Sequence, residues 1–129
     1  MNSAIDLAKE SFDLDEVPVG AVIVKDGNII GEGRNSVIAN NDVSSHAEIN
    51  AIRSASQNIG NYRLNGCSIF VTLEPCHHHG NTPPCVDAII KNRFSRVVIA
   101  TKDPNPLVNE KSISKLRDNG ILVATGVCE

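Results

Sequence analysis

The chain has 129 residues, of which 41% are hydrophobic and 21% are charged, and its formal net charge is −3. These values are typical of one globular domain, exclude a disordered or fibrous chain and argue against broad electrostatic binding to nucleic acid. The sequence contains no signal peptide, no long apolar run and no lipidation motif. We therefore expect a single domain over residues 1–129 in the cytoplasm, with no membrane partner. In that reducing compartment the four cysteines are more often metal ligands or buried thiols than disulfides.

The first part of the chain predicts a helix, a β-hairpin and a second helix. Apolar residues at helical spacing over 3–13 predict the first helix. The apolar runs at 19–24 and 29–33 are joined by Asp26-Gly27, a pair typical of a tight hairpin turn. Ser45, with a glutamate three residues later, matches a helix N-cap with a capping box, so we expect the second helix to begin there.

Strands and helices alternate through the rest of the chain. The predicted elements are a strand at 68–73, a helix at 86–92, a strand at 97–101, a helix at 110–119 and a strand at 121–125. A hairpin followed by alternating strands and helices predicts an α/β fold with a five-stranded mixed sheet covered on both faces. Right-handed crossovers would bring the end of the third strand and the starts of the second and third helices to one edge of the sheet.

Four residues expected at that edge carry the chemistry: His46, Glu48, Cys76 and Cys85. One imidazole and two thiolates supply three ligands of a zinc site and leave the fourth position for water. A carboxylate two residues from the histidine can transfer the protons that hydrolytic deamination needs. An H-x-E segment followed by P-C and a second cysteine is typical of zinc nucleobase deaminases, although here eight residues rather than two separate the cysteines. We therefore predict a zinc-dependent aminohydrolase with His46, Cys76 and Cys85 as metal ligands and Glu48 as the catalytic residue.

Two other interpretations use the same residues. A structural zinc module would need a fourth protein ligand, which Cys67, Cys128 or one of the histidines at 77–79 would have to supply. A deaminase domain that has lost catalysis and binds a partner is disfavoured, because both halves of the catalytic pattern are intact. We interpret Cys67 and Cys128 as cysteines without a metal role, and we expect one of the three histidines to contact the substrate.

The segments 72–76, 80–85 and 103–106 resemble the deaminase domain of riboflavin biosynthesis, which belongs to the cytidine/deoxycytidylate deaminase superfamily. The resemblance to the superfamily covers nearly the whole chain and implies a cytidine-deaminase-like three-layer α/β/α sandwich. Within it, the riboflavin-type resemblance implies hydrolytic deamination of 2,5-diamino-6-ribosylamino-4(3H)-pyrimidinone 5′-phosphate. It also implies that five residues lie beside the substrate, namely His78, Asn81, Thr82, Asp103 and Asn105.

The first half is similar to tRNA adenosine deaminase instead, in the segments 16–22, 34–35, 46–49 and 61–64. That resemblance implies that Asn35 contacts the base. The riboflavin-type pattern has Asn-Pro where this chain has Glu16-Val17, and a basic residue where it has Asn81. The tRNA-type pattern has a short P-C-x-x-C loop and a further basic C-terminal helix, and this sequence has neither.

The loop between the cysteines decides between the two families, because it forms one wall of the pocket in both. A chain of negative net charge is also poorly suited to binding an RNA anticodon arm. We therefore favour the phosphoribosyl pyrimidine as substrate. Deamination of tRNA adenosine to inosine is the alternative, and deamination of a nucleoside or free base is a further alternative.

The resemblance also implies partners. We expect one zinc ion per chain, a nucleotide-like small-molecule substrate and a homodimer assembled through helix faces beside the active site. Nucleic acid is a partner only under the tRNA interpretation. Because the chain stops where a reductase domain normally follows in the riboflavin-type proteins, we expect a separate reductase to act next. The roles of His77 and His79 stay open.

Overall fold

The structure, a computed structural model, describes residues 1–60, 64–76, 84–102 and 110–126. Four helices and five strands follow one another in these residues. In chain order they are α1 (Asn2–Asp13), β1 (Gly20–Lys25), β2 (Asn28–Arg34), α2 (Ala47–Ile59), β3 (Ser68–Leu73), α3 (Cys85–Lys91), β4 (Arg96–Thr101), α4 (Lys111–Asp118) and β5 (Leu122–Thr125). The predicted order of elements is confirmed.

The five strands form one mixed sheet in the order β2-β1-β3-β4-β5. Strand β1 is antiparallel to both of its neighbours, whereas β3, β4 and β5 run parallel to one another. The β1–β2 turn contains Asp26 and Gly27 at φ values of 52° and 80°, between the paired residues Lys25 and Asn28. Two central residues with positive φ are typical of the tight turn that Asp-Gly favours, so the predicted hairpin is confirmed.

Helices cover both faces of the sheet, which makes the fold the expected three-layer α/β/α sandwich. Helix α1 packs on one face, where Gly20 of β1 lies so close to Ala4 and Ala8 that a Cβ atom would overlap the α1 backbone. On the other face, α2, α3 and α4 share one hydrophobic core with alternate strand residues such as Ile23 and Ile99. The core is largely aliphatic, as the scarcity of aromatic residues predicts.

Helix α2 begins one residue later than predicted. Its N-cap is His46 rather than Ser45, and no side chain caps the helix in the expected way. The Ser45 hydroxyl points into the preceding loop, where it accepts a hydrogen bond from Asn40 and donates one to Asp42. The predicted capping box is therefore wrong, because the loop takes the hydroxyl that would have capped the helix.

Within the described residues, no helix is long and apolar enough to cross a membrane.

Candidate metal centre

Three side chains meet where α2 and α3 begin and β3 has ended. His46 is the N-cap of α2, Cys85 is the first residue of α3, and Cys76 lies three residues beyond the last residue of β3. Their ligand atoms all lie within 4.8 Å of one another. The structure thus brings together the three residues that the sequence predicts as metal ligands.

The distances between these atoms fit a zinc ion. His46 Nδ1 lies 3.3 Å from Cys85 Sγ, and the backbone N–H of Cys85 donates to Cys76 Sγ at 3.0 Å. Zinc bonds of about 2.0 Å to nitrogen and 2.3 Å to sulfur, at a tetrahedral angle, place two such donors about 3.5 Å apart. One imidazole and two thiolates are also a donor set that zinc prefers. The group fits zinc in both geometry and chemistry.

The two thiols have opposite pKa shifts because they share one hydrogen bond. This hydrogen bond from Cys85, helped by those from His46 and the Cys85 backbone, lowers the pKa of Cys76 to about 4. The same contact, with burial, raises the pKa of the Cys85 thiol. The two shifts favour a thiolate at Cys76 and a thiol at Cys85. A metal ion would displace the remaining proton on binding, because thiols ligate as thiolates.

Glu48 lies in the first turn of α2 and is only 5% exposed. Burial raises the pKa of its carboxyl group, and the nearby Cys76 charge raises it further. A weaker hydrogen-bonding influence of the Cys85 side chain acts on this pKa in the opposite direction. Glu48 is thus placed beside the ligand group with a carboxyl group able to hold and release a proton.

Asn35 follows β2 and is 8% exposed. Its Oδ1 accepts a hydrogen bond of 2.9 Å from the backbone N–H of Ala47, the first residue of α2. Asn35 therefore anchors the helix that carries His46 and Glu48. This anchoring was not part of the sequence prediction, which gave Asn35 a substrate contact.

The other predicted substrate contacts lie outside the described residues, namely His78, Asn81, Thr82, Asp103 and Asn105. The histidines at 77 and 79 also lie outside them.

Cys67 is excluded as a fourth ligand. It is buried at the start of β3, whereas Cys76 follows the other end of the same strand. A strand of six residues is about 20 Å long, far beyond the reach of a metal bond. Among the described residues, the group of potential ligands contains three members. A structural zinc module would therefore have to take its fourth ligand from another part of the chain.

A groove of about 320 Å³ opens between α2 and α3 beside His46 and Cys85. Its volume is within the range of pockets that bind small molecules. A larger groove of about 500 Å³ lies between α1 and the ends of β3 and β4, and neither the ligand residues nor Glu48 line it. Of these two grooves, the smaller one is lined by two of the three ligand residues, His46 and Cys85.

Two buried glutamates that accept hydrogen bonds from distant backbone N–H groups were not predicted as site residues. Glu16, 6% exposed, accepts hydrogen bonds from the backbone N–H groups of Ile38 and Ala39. Glu74, 4% exposed, accepts hydrogen bonds from Glu110 N–H and the Ser112 hydroxyl. Their partners are 22 to 38 residues away in the sequence, a separation that local patterns cannot reveal. The sequence distinguished Glu16 as part of the tRNA-type segment 16–22 and as a departure from the riboflavin-type pattern.

A family model described as the cytidine and deoxycytidylate deaminase zinc-binding region matches residues 1–101. Among curated relatives, the riboflavin biosynthesis protein RibD of Aquifex aeolicus is 44% identical over 131 residues, which cover 100% of this chain and 34% of the relative. A diaminohydroxyphosphoribosylamino-pyrimidine deaminase of Buchnera aphidicola is 43% identical and covers 98% of this chain and 82% of the relative. The chain spans about a third of the length of the first curated relatives.

Solved structures support the same relationship. The diaminohydroxyphosphoribosylaminopyrimidine deaminase/5-amino-6-(5-phosphoribosylamino)uracil reductase of Thermotoga maritima is 46% identical with a TM-score of 0.84, over 98% of this chain and 35% of that one. A structure from a study of tRNA:A34 deaminases is 34% identical with a TM-score of 0.85, over 100% of this chain and 92% of that one. Both predicted resemblances, and the cytidine-deaminase-like fold, are confirmed. The chain belongs to the cytidine and deoxycytidylate deaminase family.

Proposed function

We propose that the protein is a zinc-dependent hydrolytic deaminase that acts on 2,5-diamino-6-ribosylamino-4(3H)-pyrimidinone 5′-phosphate in riboflavin biosynthesis. The observation that carries the reaction type is the meeting of His46, Cys76 and Cys85 with the buried Glu48 beside them. Two relatives support the substrate: one is named riboflavin biosynthesis protein RibD, and the other is named diaminohydroxyphosphoribosylamino-pyrimidine deaminase. This chain covers 82% of the length of the second.

In this proposal His46, Cys76 and Cys85 hold one zinc ion per chain. Zinc supplies Lewis acidity and lowers the pKa of its water to near neutral. The three protein ligands leave a fourth position open, as in other catalytic zinc sites. The groove between α2 and α3 lies beside two of these ligands, His46 and Cys85.

Glu48 moves the protons. It takes a proton from the attacking water, delivers one to a ring nitrogen and finally protonates the leaving amine, so that the products are a carbonyl and ammonia. Its position in the first turn of α2, two residues from His46, keeps the carboxyl group beside the metal ligands throughout.

The substrate contacts are proposed on resemblance. His78, Asn81, Thr82, Asp103 and Asn105 would contact the ring or the phosphate. Asn35 would contact the ring through its amide Nδ2, because its Oδ1 already accepts the Ala47 N–H. A homodimer, a separate reductase acting on the product and a cytoplasmic location stay predictions.

Deamination of tRNA adenosine is the second candidate function. The observation that favours it is the 34% identity to the structure from the tRNA:A34 deaminase study, which this chain covers over 92% of its length. The higher identity to riboflavin-type relatives and the negative net charge favour the pyrimidine instead.

The test is a pair of assays on the same zinc-loaded preparation. Ammonia release is measured with the phosphoribosyl pyrimidine, and inosine formation is measured with a tRNA anticodon arm. We expect turnover of the pyrimidine and none of the RNA. Turnover of the RNA alone would replace the proposed substrate, and turnover of neither would refute both functions.

A further inference from the structure

Glu74 connects the end of one strand to the start of a distant helix. Its backbone N–H donates to the carbonyl of Thr101, the last residue of β4, at 3.0 Å. One carboxylate oxygen accepts the Glu110 N–H at 3.2 Å, and the other accepts the Ser112 hydroxyl at 2.7 Å. A single residue therefore holds both the end of β4 and the beginning of α4.

The burial of Glu74 shows that these contacts are specific. The residue is 4% exposed, and a buried carboxylate is unfavourable unless hydrogen bonds replace its contacts with water. Ser112, which supplies one of those bonds, is itself fully buried. The pair lies inside the protein and is not an exposed contact that solvent could replace.

The backbone at Glu110 requires such support. This residue is the N-cap of α4 and has a φ of 65°, in the left-handed region that residues other than glycine seldom adopt. A residue persists in that conformation only when its surroundings hold it there. The Glu74 carboxylate supplies such a contact, because it accepts the N–H of Glu110 itself.

Glu74 is also close to the metal centre along the chain. Only Pro75 separates it from Cys76, and Pro75 is fully buried. The residues between Lys102 and Glu110 include Asp103 and Asn105, which we propose as substrate contacts. Both ends of that segment are thus tied to a residue that adjoins a metal ligand.

We propose that Glu74 is a positioning residue, which sets the start of α4 and the end of β4 relative to Cys76 and thereby determines how tightly substrate binds. The proposal rests on the proposed function for its effect on substrate. Glu74 has no part in the chemical step, so replacement of its side chain raises KM more than it lowers kcat.

The test compares three variants of the zinc-loaded protein. Glu74→Gln keeps the size of the side chain but replaces one acceptor oxygen by an NH2 group. Ser112→Ala removes the hydroxyl that donates to the Glu74 carboxylate and leaves Glu74 in place. Lys115→Ala is the matched control, because it breaks the exposed 2.6 Å ion pair of α4 with Asp87 of α3, away from Glu74.

We expect Glu74→Gln to raise KM for the phosphoribosyl pyrimidine about tenfold, with kcat lowered less and zinc retained, since a hydrogen bond to a charged group is lost. Ser112→Ala should raise KM about fivefold, which keeps the proposal testable if Glu74→Gln does not fold. Lys115→Ala should leave KM unchanged. Hydrogen exchange at residues 110–118 should become faster in Glu74→Gln and Ser112→Ala.

Several results would overturn the proposal. Loss of zinc from Glu74→Gln would mean that the residue serves the metal ligand, and an equal rise of KM in Lys115→Ala would mean that any loosening of α4 has the same effect. The exchange measurement needs no substrate, so unchanged exchange at 110–118 counts against Glu74 whatever the enzyme acts on. Absence of turnover by the unaltered protein would instead refute the proposed function.

Discussion

Replacing Glu48 by glutamine should lower turnover strongly and leave zinc bound. Glutamine has nearly the same shape and fits the same buried position, but it cannot carry a proton between water and a ring nitrogen. Acid–base catalysis by one side chain contributes a factor of about 10² to 10⁴, so we expect kcat to fall about 1,000-fold. Turnover and metal content are measured on the same sample. Glu32→Gln, at an exposed position of β2, is the control and should have normal kcat. Substantial activity in Glu48→Gln would exclude Glu48 as the proton carrier.

Two substitutions of Asn35 separate its structural role from its proposed substrate contact. Alanine removes the acceptor of the Ala47 N–H, so we expect the free energy of unfolding to fall by about 1–2 kcal/mol. Aspartate keeps an acceptor oxygen at the start of α2, where a negative charge is favourable, and should cost less stability. Both changes remove the amide N–H group and should raise KM.

Urea unfolding and steady-state kinetics on the two Asn35 variants provide the measurement. A normal KM in Asn35→Asp would show that Asn35 anchors the helix and does not bind substrate. Unchanged stability in Asn35→Ala would show that Asn35 does not anchor the helix.

At the level of elements, the packing of β2 against α2 depends on glycine. A Cβ atom on Gly33 would overlap the Ala47 carbonyl oxygen and the Ala51 nitrogen, both in the α2 backbone. Gly33→Ala should therefore push α2 away from the sheet and lower the free energy of unfolding by about 1–3 kcal/mol. Because α2 carries His46 and Glu48, zinc affinity should fall as well. Denaturant unfolding and zinc titration measure the two effects.

The control for Gly33→Ala is Glu32→Ala, at the adjacent exposed position of the same strand. Its free energy of unfolding should stay within about 0.5 kcal/mol of the wild-type value. Equal stability of the two variants would show that α2 can move at no cost, which would contradict the tight packing of this layer.

The elements also show where the local sequence is sufficient to predict the structure and where it is not. Asp26-Gly27 predicted the hairpin because the requirement for positive φ is met by the two turn residues themselves. Ser45 misled because its hydroxyl had a competing partner, Asp42, only three residues away. The order of elements along the chain and the start of α2 to within one residue were predictable. Which neighbouring group the Ser45 hydroxyl would bond was not predictable.

At the level of the whole molecule, the metal group was predictable because topology and chemistry point to the same place. Crossovers between strands of the same direction bring the starts of α2 and α3 to the edge where β3 ends. His46, Cys85 and Cys76 occupy those three positions. The roles of Glu16 and Glu74 were not predictable. The Glu16 carboxylate meets a loop, and the Glu74 carboxylate meets the start of a helix 36 to 38 residues away in the sequence. A buried glutamate has no sequence pattern of its own.

Removal of zinc should destabilise the whole molecule, because the metal links the ends of three elements that otherwise meet through few side chains. Zinc at a hundred times its dissociation constant adds about 2.7 kcal/mol of stability, equivalent to about 5–15 °C in Tm for a chain of this size. Thermal unfolding with and without a chelator measures the shift, and added zinc should restore it. Cys67→Ser, in the core but remote from the site, should keep the shift, whereas Cys85→Ser should abolish it. An unchanged Tm after verified removal of zinc would show that the fold holds these ligands together without the metal.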